Sequence, residues 1–410
     1  MFILLYVVTM AIAFTNMFNG IVTPFYIKYI IASIWILLWI FDVVVKGKIE
    51  KRSVFAIKEY CIPFIAIMGW SLVSWIIDRP EIFSFAYVTR MFSNTLYILL
   101  TFMSAIAGVH FFGKRTIKLS VWAMGLSVLV NLLYVVSQYG IGMFLSYLPG
   151  VLNTTDYPWG SIEYNFALAL EVQDITMATG FYLIYFLFFD LEDKKKTKTR
   201  YVLIMAICAY IGFKRTTLVG LLLVSGVIWI VKYENLHFKR VITVIGTCFI
   251  LVSTIYIILV KLGVVEMLTT LFNVDANGRI GIYSTLATYY ELNPFYLGKG
   301  FLYVDKAMYD SIGFAAHSVI VKMFAEIGCV PFFIWIVHYI IKLPCRIFKR
   351  NGELAGKVAF VITLYLFTTY FMENTMSLFC IQYSFIMIPL AMSAPDKKRK
   401  MKSSVWTNRK

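Results

Sequence analysis

The sequence predicts an all-α polytopic membrane protein of about twelve transmembrane helices, with one long outer loop between the ninth and tenth spans. Three observations carry this expectation. The 410 residues are 60% hydrophobic, with a mean hydropathy of +0.78, whereas a soluble domain is closer to half apolar. The apolar residues fall in runs long enough to cross a bilayer, which takes about 20 residues each. No long polar region is left for a second, soluble domain, so 1–410 reads as a single integral membrane domain.

Taken in order, the apolar runs place spans near 2–18, 21–45, 55–77, 91–112, 119–140, 166–189, 201–213, 216–233, 241–262, 318–341, 358–372 and 378–394. The N-terminal run has no basic leader and no clear small-residue cleavage site, so it reads as a retained helix rather than a cleaved signal. Lys214 and Arg215 separate the seventh and eighth runs, which would otherwise merge into one long helix. Basic residues test the count. With the N-terminus inside, the cytoplasmic segments are 46–58, 114–118, 194–200, 232–240, 342–357 and 397–410, and these hold 28 of the 38 Lys and Arg residues. Every second loop is then basic, as topology signals are. Both termini are expected in the cytoplasm, with 395–410 as a basic tail. The net charge of +16 therefore marks membrane orientation, and nucleic acid is not an expected partner. The six cysteines (Cys61, Cys208, Cys248, Cys329, Cys345, Cys380) show no CxxC and no paired spacing. They read as small packing residues, not as a disulfide framework or a zinc site.

On the outer side most loops are short. Residues 141–165 form a moderate loop, and 263–316 is the long one, at 54 residues. A long loop with its own helical patterning is usually functional or disordered. This one carries Phe272, Tyr283, Tyr289, Tyr290, Phe295 and Tyr296 and is expected to fold onto the outer face, with 281–292 as a helix in the interface plane. No repeat of 20–50 residues and no inverted halves are visible, which argues against the common transporter plans.

The stretch 277–328 concentrates the polar chemistry: Arg279, Glu291, Lys299, Gly300 and His317, then Lys322 and Glu326. Of four histidines, His110, His237 and His338 fall at cytoplasmic ends, leaving His317 on the outer side. Histidine changes charge near neutral pH, so His317 is the candidate general base; its alternative role is to cap the helix it opens. Arg215 and Arg279 sit where the positive-inside bias disfavours basic residues, and arginine forks bind phosphate oxygens bidentately. Headgroup binding or pairing with loop carboxylates is the alternative for each. Arg90, Lys214 and Lys299 are weaker candidates of the same kind. Glu171 and Asp174, three apart on one face, are candidates for sugar hydroxyls or for a partner arginine. Glu291, Glu373 and Asn374 stand near the same outer surface. Lys322 and Glu326 are four apart and read as an intrahelical pair. There is no P-loop, GxSxG, HExxH or DxD-like pair, so no nucleotide, metal or other cofactor is expected.

Three segments, GFKRTTLVG, GRIGIYSTLATYYELNPFYLGKGF and AAHSVIVKMFAEIG, resemble the motifs of the O-antigen polymerase and O-antigen ligase superfamily of bacterial polysaccharide assembly. They are similar to its basic turn, its "R…nP…G.G" segment and its "HN…E.G" segment, with Ser318 where the family often has Asn. The motif likeness runs from about Phe213 to Pro331, and the span count and long loop are similar throughout. The resemblance implies a GT-C-like helical bundle in the bacterial cytoplasmic membrane. It implies an inverting glycosyltransferase that polymerises undecaprenyl-diphosphate-linked oligosaccharide repeat units into capsular, exopolysaccharide or O-antigen chains. Arg215 and Arg279 would bind the diphosphate, and His317 would orient or deprotonate the acceptor hydroxyl. Arg90, Lys214, Asp174, Glu291, Lys299 and Glu373 are the expected further substrate contacts. Membrane lipids, a chain-length regulator and a flippase are the expected partners. The alternatives are ligase-type transfer to a lipid or wall acceptor, and a lipid-linked oligosaccharide flippase or transporter.

Overall fold

The computed structural model describes residues 1–14, 24–78, 84–150, 160–170, 172–190, 195–212, 214–233, 237–271 and 279–393. Among them every regular element is helical. In order these are α1 (Phe2–Phe14), α2 (Pro24–Lys46), α3 (Lys51–Ile77), α4 (Phe85–Phe112), α5 (Arg115–Tyr139), α6 (Ile141–Gly150), α7 (Ile162–Leu170), α8 (Asp174–Phe189) and α9 (Lys195–Ile211). They continue with α10 (Arg215–Tyr233), α11 (Phe238–Lys261), α12 (Val264–Leu271), α13 (Arg279–Thr288), α14 (Tyr303–Ile312), α15 (Val319–Ile327), α16 (Cys329–Asn351), α17 (Glu353–Met372) and α18 (Phe379–Met392). Eight described helices are long and apolar enough to cross a membrane, and nine if α7 and α8, bent by 48°, form one span. The chain is thus a helical protein with several membrane spans. α1 and α18, at 13 and 14 residues, reach only about 20 Å, against a hydrocarbon core of about 30 Å. α9 and α10 are separate helices on either side of Lys214. The expected tail 395–410 lies outside the described residues, as does most of the second half of the 141–165 loop.

Two compact units are built from interleaved segments. The first comprises Met1–Ile57, Leu100–Lys214 and Phe379–Lys410. Its core forms where α1 meets α5 and α2. Rings of Phe2, Tyr6, Trp35, Phe111 and Phe112 pack edge to face or tilted, arrangements favoured by the aromatic quadrupole. Small residues admit polar neighbours. Ser127 Oγ donates to the Ala11 carbonyl at 2.6 Å. A Cβ on Gly108 would meet the hydroxyls of Tyr6 and Tyr383, which hydrogen-bond to each other.

The second unit comprises Lys58–Leu99 and Arg215–Leu378. α17 is its centre, buried continuously from Val358 to Tyr370. α10 comes close to it because Gly220 leaves room for the Tyr365 ring. α16 and α17 form a hairpin whose turn is Gly352, at φ +90°. Near the start of α3 and the middle of α16 each helix opens into one π turn, at Ile57–Cys61 and His338–Lys342. There Arg346 Nη1 donates to the buried Glu59 carboxylate at 2.5 Å, and His338 Nε2 lies 2.9 Å from the Glu59 carbonyl. A buried carboxylate needs such partners, because an unpaired charge in a low dielectric is strongly disfavoured.

Residues 70–75 lie roughly 20 Å further along α3, and here the long loop docks. Trp70 Nε1 donates to the carbonyls of Leu297 (3.2 Å) and Ile327 (3.0 Å). Ser74 Oγ donates to the Gly298 carbonyl at 3.2 Å, and Trp75 Nε1 to that of Lys299 at 2.6 Å. The loop is therefore held at the end of α3 remote from the basic 342–357 segment. It contains the helices α12, α13 and α14, and α13 covers much of the expected 281–292 helix. Lys261 Nζ donates to the carbonyls of Ala287 (2.7 Å) and Tyr290 (2.6 Å), which satisfies the C-terminal end of α13 in the way basic side chains do.

The tenth span needs correction. The sequence expectation was one span over 318–341, but the helix breaks at Gly328 and the apolar span runs over Cys329–Asn351. Gly328 adopts φ +81° and ψ 178°, and a Cβ there would collide with the Tyr296 carbonyl. The break exposes the last carbonyls of α15, which the loop and α3 then satisfy. Ala325 O accepts from Lys299 N (2.9 Å) and the Tyr296 hydroxyl (2.6 Å), and Glu326 O from Gly300 N (2.7 Å). Cys329 N, just past the break, donates to Tyr296 O at 2.9 Å. Replacing Gly328 by Ala should strain this junction by about 1–3 kcal/mol and lower the thermal midpoint of the purified protein. An unchanged midpoint would show that the break does not require glycine.

Candidate functional site

The site is built in the second unit around the start of α15. Ser318 is its N-cap: its Oγ accepts from Val321 N at 3.4 Å and donates to the Tyr370 carbonyl at 3.4 Å. Serine and asparagine are both good N-caps, so Ser318 does here what an asparagine could also do. His317 immediately precedes the cap. Its Nδ1 is sequestered without a hydrogen-bond partner and lies 3.9 Å from Glu373 Oε2. The side chain as a whole is 34% exposed, and no hydrogen bond to its Nε2 is found among the described residues, so Nε2 is the nitrogen left for a substrate. Glu373 is buried at the end of α17, and its Oε1 accepts from Thr216 Oγ1 at 3.4 Å. Glu373 thereby joins the start of α10 to the start of α15. Arg215, next to Thr216, is exposed.

Behind His317 lies a buried polar network. Lys322 Nζ donates to Asp305 Oδ2 and to Asn374 Oδ1, each at 2.7 Å. Asn374 Nδ2 donates to Asp305 Oδ2 at 3.3 Å. The second Asp305 oxygen accepts from Ala316 N at 3.2 Å, and Asp305 N donates to Glu326 Oε1 at 3.4 Å. Lys322 is 1% exposed and Glu326 is fully buried. Lys322 thus makes its hydrogen-bonded ion pair with Asp305 of another helix, while the expected intrahelical partner Glu326 remains its electrostatic neighbour. The reason is burial: α14 packs against α15 and presents a carboxylate to Lys322 at closer range than its own helix does. The network fixes both neighbours of the candidate dyad, because Asp305 holds Ala316 beside His317 and Asn374 adjoins Glu373.

The remaining sequence candidates are distributed as follows. Arg279 opens α13, and its side chain lies outside the described residues. Glu291 is exposed after α13, and Lys299 is half-buried. The backbone N–H groups of Lys299 and Gly300 both serve α15 carbonyls, so the Gly-Lys-Gly turn is a structural splice and its amides are not free to cradle phosphate. Arg90 lines a separate cleft with Lys306. Lys214 and Asp174 belong to the first unit; Asp174 is buried, with Lys28 as its electrostatic partner. Glu171 lies outside the described residues. Asp305 was not singled out from the sequence. Its signal was present: on α14 it stands among the buried Val304 and Met308, an acid on the apolar side of a short helix. No group of three or more His, Cys, Asp and Glu side chains among the described residues could hold a metal ion.

No family model matches the chain, and no curated protein matches it.

Removing one partner from a buried ion pair typically costs about 3–5 kcal/mol, because the other charge is left uncompensated. Lys322→Met should therefore lower the melting midpoint sharply, and adding Asp305→Leu should recover a large part of the loss. A double variant no better than the single one would mean that this pair does not carry the stability of the α14–α15 contact.

Proposed function

We propose that the protein is a glycosyltransferase that joins undecaprenyl-diphosphate-linked oligosaccharide repeat units on the outer face of the bacterial cytoplasmic membrane. The observation that carries this reading is His317: an Nε2 left for a substrate on one edge, and a sequestered Nδ1 facing the buried Glu373 on the other. Support also comes from the three sequence segments resembling the polymerase and ligase superfamily. Two of these, around Arg215 and His317, adjoin the same carboxylate through Thr216 and His317.

In this mechanism His317 Nε2 accepts the proton of the acceptor hydroxyl as its oxygen attacks the anomeric carbon of the donor. The bond from that carbon to the diphosphate breaks on the opposite face, so configuration inverts. Arg215 and Arg279 take up the charge that develops on the leaving diphosphate. Glu373 orients the imidazole and stabilises the imidazolium, the role a carboxylate behind a general-base histidine performs elsewhere. The buried Lys322–Asp305–Asn374 network keeps both residues in place while the substrate changes.

With purified full-length protein and lipid-linked repeat units, His317→Ala should reduce polymer formation by about 10²–10⁴-fold, the usual worth of a general base, and leave single units. Glu373→Gln should give a smaller loss, confined to kcat. Normal polymer length from the His317 variant would remove this residue from the chemistry. Transfer of one finished glycan to a different acceptor, without elongation, would favour a ligase.

The outer placement has its own test. A cysteine substituted for the exposed Glu291, in a background without native cysteines, should react with a membrane-impermeant maleimide added to intact cells. Reaction only after permeabilisation would reverse the topology.

A further inference from the structure

A cleft between α4 and α14 takes no part in the chemistry proposed above. Its volume is about 410 Å³, and it is lined by Phe85, Ala86, Thr89, Arg90, Ser93 and Lys306. It is shallow and largely open, so it suits a headgroup rather than an enclosed ligand. All six residues belong to the second unit.

Two cations line this cleft, and one of them, Arg90, has no acceptor among the described residues. No acceptor among the described residues meets the Arg90 guanidinium, and its Nε is sequestered and unbonded. A guanidinium carries five donors in a fixed fork that matches phosphate oxygens. Lys306, on the opposite wall, pairs with the half-exposed Asp310, at 2.6 Å, and lies 5.8 Å from the centre of the Tyr87 ring. The wall itself is built: the Tyr87 and Tyr303 rings pack at 4.7 Å and seat α14 on α4. Successive residues of a helix point about 100° apart. Asp305 therefore serves the buried network while Lys306 turns to the cleft, and α14 separates the cleft from the His317 site. Thr89 adds a hydroxyl. Phe85, 86% exposed, and Ala86 add an apolar lip at the first turn of a candidate span.

We propose that this cleft binds the phosphate group of a membrane amphiphile, with Arg90 and Lys306 holding the phosphate oxygens and the Phe85–Ala86 lip meeting the attached chain. A bilayer lipid and a polyprenyl carrier both offer such a phosphate, and the chemistry recognised is the same. The site stands whether or not His317 performs glycosyl transfer.

Binding of phosphatidylglycerol, undecaprenyl phosphate and inorganic phosphate to the full-length protein in detergent tests this. The comparison is between the wild type and Arg90→Gln/Lys306→Gln. At least a tenfold loss of affinity for one or both amphiphiles is expected in the double variant, and the probe that shows it names the source. Arg215→Gln, which removes a diphosphate ligand of the proposed catalytic site, should bind phosphatidylglycerol as the wild type does, which separates this site from that one. Should the double variant fail to fold, Lys306→Gln alone, which removes a cation paired with the half-exposed Asp310, should weaken binding several-fold. Wild-type protein that binds neither amphiphile, equal affinities in wild type and variants, or a loss confined to inorganic phosphate would each overturn the proposal.

Discussion

The need to satisfy backbone carbonyls where a helix breaks organises the second unit. A helix leaves its last four carbonyls without intrahelical partners, and in an apolar environment no water replaces them. At Gly328 the donors come from three places: the amides of Lys299 and Gly300, the Tyr296 hydroxyl and the Trp70 indole. This requirement brings the segment after α13 against the end of α3. It also explains why the NPFYLGKG stretch is rich in turn residues. Asn293 caps its own turn by accepting from Phe295 N at 2.9 Å, a common use of asparagine before proline. The glycines then allow backbone to approach backbone.

Breaking the helix has a second consequence. α15 is left as a nine-residue piece that can start and end inside the protein, so its first residue need not lie at a lipid-facing surface. His317 is placed at that start. Its two flanks are fixed by groups that water cannot reach, Asp305 through Ala316 and Tyr370 through Ser318. Buried polar networks of this kind are costly when incomplete and rigid when satisfied. Here Lys322 has two acceptors and Asp305 uses both of its oxygens, while Glu326 Oε2 is buried without a hydrogen-bond partner among the described residues. The Lys322–Asp305 part of the network gives the rigidity that the base proposed at His317 would need, since catalytic geometry must hold to within a fraction of an ångström.

Much of the helical layout was legible from hydropathy, because a bilayer demands long apolar runs whatever they pack against. The separation of α9 from α10 was legible too, from Lys214 and Arg215 alone. The end of the tenth span was not. Apolar periodicity continues from Val319 through Val337 and masks the one local stop signal, Gly328 followed three residues later by Pro331. Spacing alone likewise suggested that Lys322 pairs with Glu326, four residues on. An acid brought in from α14 makes the hydrogen-bonded pair because it reaches the amine inside the protein, and Glu326 remains an electrostatic neighbour. The Gly-Lys-Gly turn showed the reverse case: a pattern compatible with phosphate binding whose amides are already committed to another helix.

By itself the sequence determined the class: a helical chain with several membrane spans, and a polar, glycine-punctuated stretch holding His317. Those properties follow from composition and periodicity, which are local. Tertiary structure alone decided that His317 faces Glu373, that Thr216 from the start of α10 shares that carboxylate, and that Asp305 completes the charge of Lys322. These groups come from segments far apart in the chain. Their meeting depends on how α10, α14, α15 and α17 pack, and no local pattern encodes that packing.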